Sequence, residues 1–119
     1  YFFAQGDPWY RYEGEFKDGL PHGKGKEYFN NNNIKYEGEF KEGKRHNKGK
    51  TYYTNGNLAY EGDFKNHLAH GEGKLYNLDG ILWYEGEFKN GYPHGQGIEY
   101  YERGEIKYEG EFRNGSSIN

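Results

Sequence analysis

The 119 residues carry 16 Lys plus Arg against 19 Asp plus Glu, a formal net charge of −3, and no cysteine. That length is too short for a multidomain enzyme. The acidic balance argues against a dedicated nucleic-acid binder, and the missing thiols exclude disulfides, a thiolate nucleophile and Cys-ligated zinc. A mean hydropathy of −1.34 belongs to disordered chains, yet such chains are poor in aromatics and this one has 14 Tyr, 8 Phe and 2 Trp.

In chain order, residues 1–11 come first, and Tyr1-Phe2-Phe3 with Trp9-Tyr10 resembles the tail of a preceding or degenerate repeat. The segment Tyr12-Glu-Gly-Glu-Phe16 then opens a pattern that recurs at 36–40, 60–64 (with Asp63), 84–88 and 108–112, always 24 residues on. Repeats are therefore expected at 12–35, 36–59, 60–83 and 84–107, with a half repeat and tail at 108–119. His22, His46, His70 and His94 keep the same period, as do Gly25, Gly49, Gly73 and Gly97, and Tyr28, Tyr52, Tyr76 and Tyr100. A period of this length means a solenoid or array.

Inside each unit the period is two. Ile34, Tyr36, Gly38 and Phe40 alternate with Lys35, Glu37, Glu39 and Lys41, the signature of a half-buried strand. The glycine at its centre is expected to leave room for a Tyr or Phe ring from the neighbouring strand. A turn-rich stretch follows, then a second short strand such as 25–29, then an Asn/Gly turn such as 54–57. Two strands and two turns per unit predict an all-β fold, an elongated single-layer antiparallel meander of stacked β-hairpin repeats. One unit alone buries too little to offset the entropy of ordering it, so stacking must supply the rest.

Tyr-Glu-Gly-Glu-Phe, then Lys-Asp-Gly-Leu-Pro-His-Gly-Lys-Gly over 17–25, then a Tyr and an Asn/Asp-Gly turn, resembles the MORN repeat (membrane occupation and recognition nexus). The resemblance covers residues 12–115. Three departures stand out: one residue more than the usual repeat of about 23, Phe in place of the frequent Trp, and Asn47 where the other units have Gly23, Gly71 and Gly95. The resemblance implies a scaffold that self-associates or serves as an accessory arm on enzymes and on cytoskeletal or ciliary structures.

Catalytic patterns fare badly. The only serines, Ser116 and Ser117, sit in the tail, so a Ser/His/Asp triad lacks a nucleophile. Glu13, Glu37, Glu61, Glu85 and Glu109 offer like environments, whereas an acid/base pair needs unlike ones. Equivalent histidines sit two strands apart, roughly 9–10 Å, too far to share a metal easily, and a neutral ring bonded to backbone groups is expected instead. Residues 43–51 mimic a phosphate-binding loop but place five residues between the glycines instead of four. No helix follows. Asn30 to Asn33 read as compositional drift in a turn, and Asn114-Gly115-Ser116 as a glycosylation pattern not expected to be used.

The segment 41–50 has more substance, with five basic residues against Glu42. Lys41, Lys44, Arg45, Lys48 and Lys50 could receive a phosphoinositide head group or an acidic peptide. The leading expectation is a non-catalytic protein-interaction or self-association module. Its partner surface would be the Tyr28, Tyr52, Tyr76 and Tyr100 ladder, since half-exposed aromatics make good interface anchors. Uniform Tyr implies rings packed over glycine with hydroxyls turned outward. The alternatives are a phospholipid-membrane binder, or an accessory arm of an enzyme whose catalytic domain lies elsewhere. No catalytic residue, cofactor, metal, nucleic acid or small-molecule substrate is expected. The absence of Met and a start in mid-pattern suggest a piece of a longer protein. No apolar run approaches the roughly 18 to 20 residues of a membrane span and no signal-peptide pattern opens the chain, so an intracellular place is expected, cytoplasmic or peripheral to membrane or cytoskeleton.

Overall fold

The computed structural model describes residues 2–3 and 11–118; most of the expected leading tail, 1–11, lies outside them. One 11-stranded antiparallel sheet runs in strict chain order, each strand beside its predecessor. The motif strands are β2 (Arg11–Lys17), β4 (Ile34–Lys41), β6 (Leu58–Lys65), β8 (Leu82–Lys89) and β10 (Ile106–Arg113). Between them lie β3 (Leu20–Tyr28), β5 (Lys44–Tyr52), β7 (Leu68–Tyr76) and β9 (Tyr92–Tyr100), with the short β1 (Phe2–Phe3) and β11 (Ser116–Ser117) at the edges. The sheet measures 46 × 26 × 20 Å, and the long dimension matches roughly ten inter-strand spacings of about 4.8 Å. The all-β meander expected from the period is the fold.

The second strand is longer than its sequence suggests, because the Pro-His-Gly-Lys stretch is extended rather than looped. What reads as a long turn shrinks to two residues: Asp18 and Gly19 have φ of 52° and 80°, and the equivalent pairs follow suit. Two positive φ values in succession make the type I′ turn that matches strand twist. The other connection closes with Phe29 N–H donating to Asn33 O at 2.9 Å, and its left-handed residue is Asn32 at φ 75° where later units have Gly56, Gly80 and Gly104. The Asn run is therefore more than drift. Asn31 and Asn33 both donate side-chain N–H groups to Thr54 O, as Asn55 and Asn57 do to Leu78 O, tying each turn to the next.

Register places glycine opposite glycine across nine strands, from Gly14↔Gly25 and Gly25↔Gly38 through to Gly97↔Gly110. The ring expected over the motif glycine lies instead over the glycine of the following strand. The Tyr12 ring covers Gly25 on the next strand, where an added Cβ would lie 2.5 Å from Tyr12 Cζ; Tyr36, Tyr60 and Tyr84 cover Gly49, Gly73 and Gly97 likewise. The motif glycine itself answers to backbone: Gly62 has φ 152°, and its Cβ would lie 2.5 Å from Gly73 Cα. Each Tyr hydroxyl then donates to the carbonyl three residues on, Tyr36 to Glu39 O at 2.8 Å. Burial pushes the Tyr12 and Tyr84 phenols up to about 12.

The core is a single file of rings. Tyr12–Phe40, Tyr36–Phe40, Tyr36–Phe64 and so on to Tyr108–Phe112 meet edge to face, centroids 4.8–5.2 Å apart. Each such contact adds about 0.5–1.5 kcal/mol beyond burial, and every second one joins two repeats. Gly62→Val sets a branched side chain against the β7 backbone and is expected to remove about 3 kcal/mol or more. Gly110→Val, whose Cβ meets mainly the Tyr108 ring, should remove distinctly less; equal shifts in thermal melts would count against packing through the glycine row.

A turn residue makes stability depend on pH. His67 holds φ 77° where the corresponding residues are Gly19, Gly43, Gly91 and Gly115. Burial first, then Arg45 and Lys44, hold its imidazole below the ordinary 6.5. Above pH 6.5 the group is neutral folded or unfolded and contributes no pH dependence. Below it the unfolded chain takes up the proton first, so stability falls as pH drops through and below 6.5. His67→Gly should relieve about 1–2 kcal/mol of left-handed strain and flatten the acid limb, read from melts on either side of the ordinary histidine range.

Candidate functional site

Period-two alternation puts the rings on one face and a pair of charged rows on the other. Between these rows lies the glycine row, bare of side chains. The result is a groove of about 1480 Å³ running across the strands, floored by Gly14, Gly25, Gly38 and their equivalents. One wall alternates in sign along paired residues: Glu13↔Lys26↔Glu37↔Lys50↔Glu61↔Lys74↔Glu85, then Ile98 and Glu109. Opposite charges facing across strands stabilise a sheet by roughly 0.2–1 kcal/mol per pair. The other wall carries Lys24, Glu39, Lys48, Glu72, Glu87 and Gln96.

The tyrosine ladder edges the groove and is half-buried, though its hydroxyls do not point free into solvent. Tyr76 Oη donates to Glu61 Oε1 at 2.8 Å, Tyr28 to Glu13 at 3.3 Å, and Tyr52 and Tyr100 to Glu37 and Glu85. Nor do these rings lie over glycine, since the motif tyrosines hold that position. Uniform Tyr is explained by the carboxylate: only a phenol both packs and donates. Burial and the Glu61 carboxylate push the Tyr76 phenol up to about 12; for Tyr100 the bond to Glu85 is the first cause, with the same result.

The five basic residues of 41–50 separate in three dimensions. Arg45 stands on the ring face, its Nε 2.8 Å from Glu27 Oε1 and its guanidinium 4.7 Å over the Tyr36 ring. Lys48 and Lys50 line the groove, Lys48 within 2.5 Å of Asp63. Lys41 and Lys44 flank the β4–β5 turn as a cross-strand pair. The histidines behave as turn pins: Nδ1 of His22, His70 and His94 accepts the backbone N–H of Glu42, Asn90 and Asn114 at 3.3–3.4 Å. Asn47 takes φ 60° where its sisters are Gly, and its amide approaches Glu39 Oε1 at 3.5 Å. Among the described residues no cluster of three or more His, Asp or Glu is placed to hold a metal ion. No helix there is long and apolar enough to cross a membrane.

The groove was not legible as such in the sequence, although its floor is the glycine period and its walls are the alternating polar positions. Sheet and groove together define a β-hairpin repeat module with one extended, grooved face. The MORN-repeat model matches residues 12–34, 36–58, 60–80, 84–106 and 108–116, and the chain belongs to that family. MORN repeats are non-enzymatic modules, generally of interaction or membrane association. A search of curated proteins finds no match for the chain.

The hydroxyl–carboxylate bonds of the ladder give its hydroxyls a structural role in place of the outward turn expected from the sequence. Tyr52→Phe with Tyr76→Phe releases Glu37 and Glu61 and should destabilise by about 1 kcal/mol per bond. A melting temperature lower by about 5–10 °C is expected; an unchanged melt would mean that the ladder holds nothing in place.

Proposed function

We propose that the chain is a non-catalytic scaffold module that holds a polypeptide segment of another protein along the glycine-floored groove. The observation that carries this reading is the groove itself, a channel of about 1480 Å³ assembled from the same positions of every repeat. Its bare backbone floor admits close approach, and its tyrosine-tethered glutamates are held in place before a ligand arrives. Preorganised walls reduce the entropy lost on binding. The phosphoinositide alternative draws less support, because Arg45 and Lys48 are already paired and the five cations do not share one face.

The test is site-directed photo-crosslinking in the native setting. A photoreactive residue at Gln96, in the groove, should capture a discrete protein partner at a mapped peptide, while one at Leu20, on the turn edge, should not. Equal capture from both positions would overturn the reading. So would co-sedimentation with phosphoinositide vesicles that is lost on Lys41→Ser with Lys44→Ser.

A further inference from the structure

Deviations from the repeat concentrate in one half of the groove. From Glu13 to Glu61 the lining balances four carboxylates with four lysines, whereas from Glu72 to Glu109 four carboxylates face Lys74 alone. The change comes from single positions. Where the early units have Lys24 and Lys48 the later ones have Glu72 and Gln96, and where they have Lys26, Lys50 and Lys74 the fourth has Ile98. The early units pair Lys24↔Glu39 and Lys48↔Asp63; the later one sets Glu72 directly opposite Glu87. Like charges facing across strands destabilise a sheet. A cation from outside would relieve them.

A second feature adjoins this acidic half. Trp83 replaces the Arg11, Lys35, Ala59 and Lys107 of the other units and is 47% exposed. With Leu78, Leu82, Tyr100 and Tyr101 it lines a pocket of about 510 Å³. Lys107 at the rim is paired with Glu99 at 3.7 Å. Tyr100 lines this pocket and donates its hydroxyl to Glu85 of the groove wall, so the two share a boundary. An exposed Trp and Tyr beside fixed carboxylates is the composition of a binding hot spot. The first two units carry no Trp at this position and keep two lysines each in the walls.

We infer that the third and fourth repeats bind a basic amphipathic segment of a partner protein. An apolar side chain seats against Trp83, and Lys or Arg side chains reach Glu85, Glu87 and Glu72. This rests on the groove reading above and gives it a ligand chemistry. Along the groove, neighbouring strands lie about 4.8 Å apart, which sets Glu72 of β7 beside Glu87 of β8. A helix laid along the groove presents side chains about 6 Å apart at i and i+4. An anionic membrane surface would be repelled by the same carboxylates.

The experiment is fluorescence anisotropy with the full chain and two labelled amphipathic helices of about four turns, one of Leu, Ala and Lys, the other with Glu for every Lys. The Lys peptide should bind and lose about tenfold or more in affinity between roughly 50 and 300 mM salt, since the contacts are ionic, and the Glu peptide should not bind. Glu72→Lys with Glu87→Gln should weaken it about tenfold while leaving the melt unchanged or higher. Trp83→Lys, which restores the residue of the first and fourth repeats, should weaken it similarly. Lys24→Gln with Lys48→Gln, in the other half, should leave affinity within about twofold. Comparable binding of both peptides, or no loss in either the acidic-wall or the Trp83 variant, would overturn the inference. Groove crosslinks at Gln96 would then leave the groove reading standing, and their absence would remove it as well.

Discussion

The structure depends on one contact, a tyrosine ring laid on the glycine of the next strand. It accounts for the spacing of the motif. Tyr12 must be far enough from Gly14 for its hydroxyl to reach Glu15 O at 2.7 Å, and its ring must cross the hairpin to Gly25. Any Cβ at Gly25 would penetrate that ring. With Tyr fixed, the Phe four residues on meets its edge from one side and the Phe of the following repeat from the other. Cohesion therefore resides as much between repeats as within them. A chain with so few aliphatic residues holds together because its rings form a continuous file rather than a three-dimensional core.

The groove is a consequence of the same contact. Packing rings against backbone on one face requires a row without side chains there, and alternation sets the charged neighbours of that row on the opposite face with backbone alone between them. The polar positions on either side become walls. Tyr28, Tyr52, Tyr76 and Tyr100 then brace those walls by holding the first glutamate of each unit. Fold and candidate site are thus two faces of one pattern.

This explains which parts were legible in the sequence. The strand count and the antiparallel order followed from period and alternation, because these are local and repeated 24 residues apart, whereas which glycine lies under a ring depends on register. The second strand was shortened in that reading since Pro21, His22 and Gly23 carry loop propensity; the pairing of β3 with β2 and β4 overrides it. The basic run 41–50 looked like one patch because sequence proximity does not tell faces apart. Alternation sends Arg45 to the ring face, where Glu27 and Tyr36 receive it. The two tyrosine columns could not be distinguished by composition. Only register shows which one covers glycine and which one meets a carboxylate.

A repeated architecture also separates stability from recognition in a way a single core does not. Positions that face the ring file are the same in all five units because each must fit both neighbours: Tyr at the head, Phe at the end, glycine between. Wall positions touch solvent and are free to drift without loosening the file. Where they drift together, as Glu72, Trp83, Gln96 and Ile98 do within two adjacent units, the change in charge and the gain of an exposed aromatic coincide on one stretch of groove. The Arg45–His67 departure behaves differently. Arg45 replaces a Pro or Ala and His67 replaces Gly, while His67 N–H makes to Arg45 O the same main-chain bond that Gly43, Gly91 and Gly115 make to Pro21, Ala69 and Pro93. Glu27 and the Tyr36 ring take up Arg45 within the fold, whereas the wall substitutions leave Glu72 facing Glu87 with no opposite charge between them. The uncompensated deviation is the one that points outward, to a ligand.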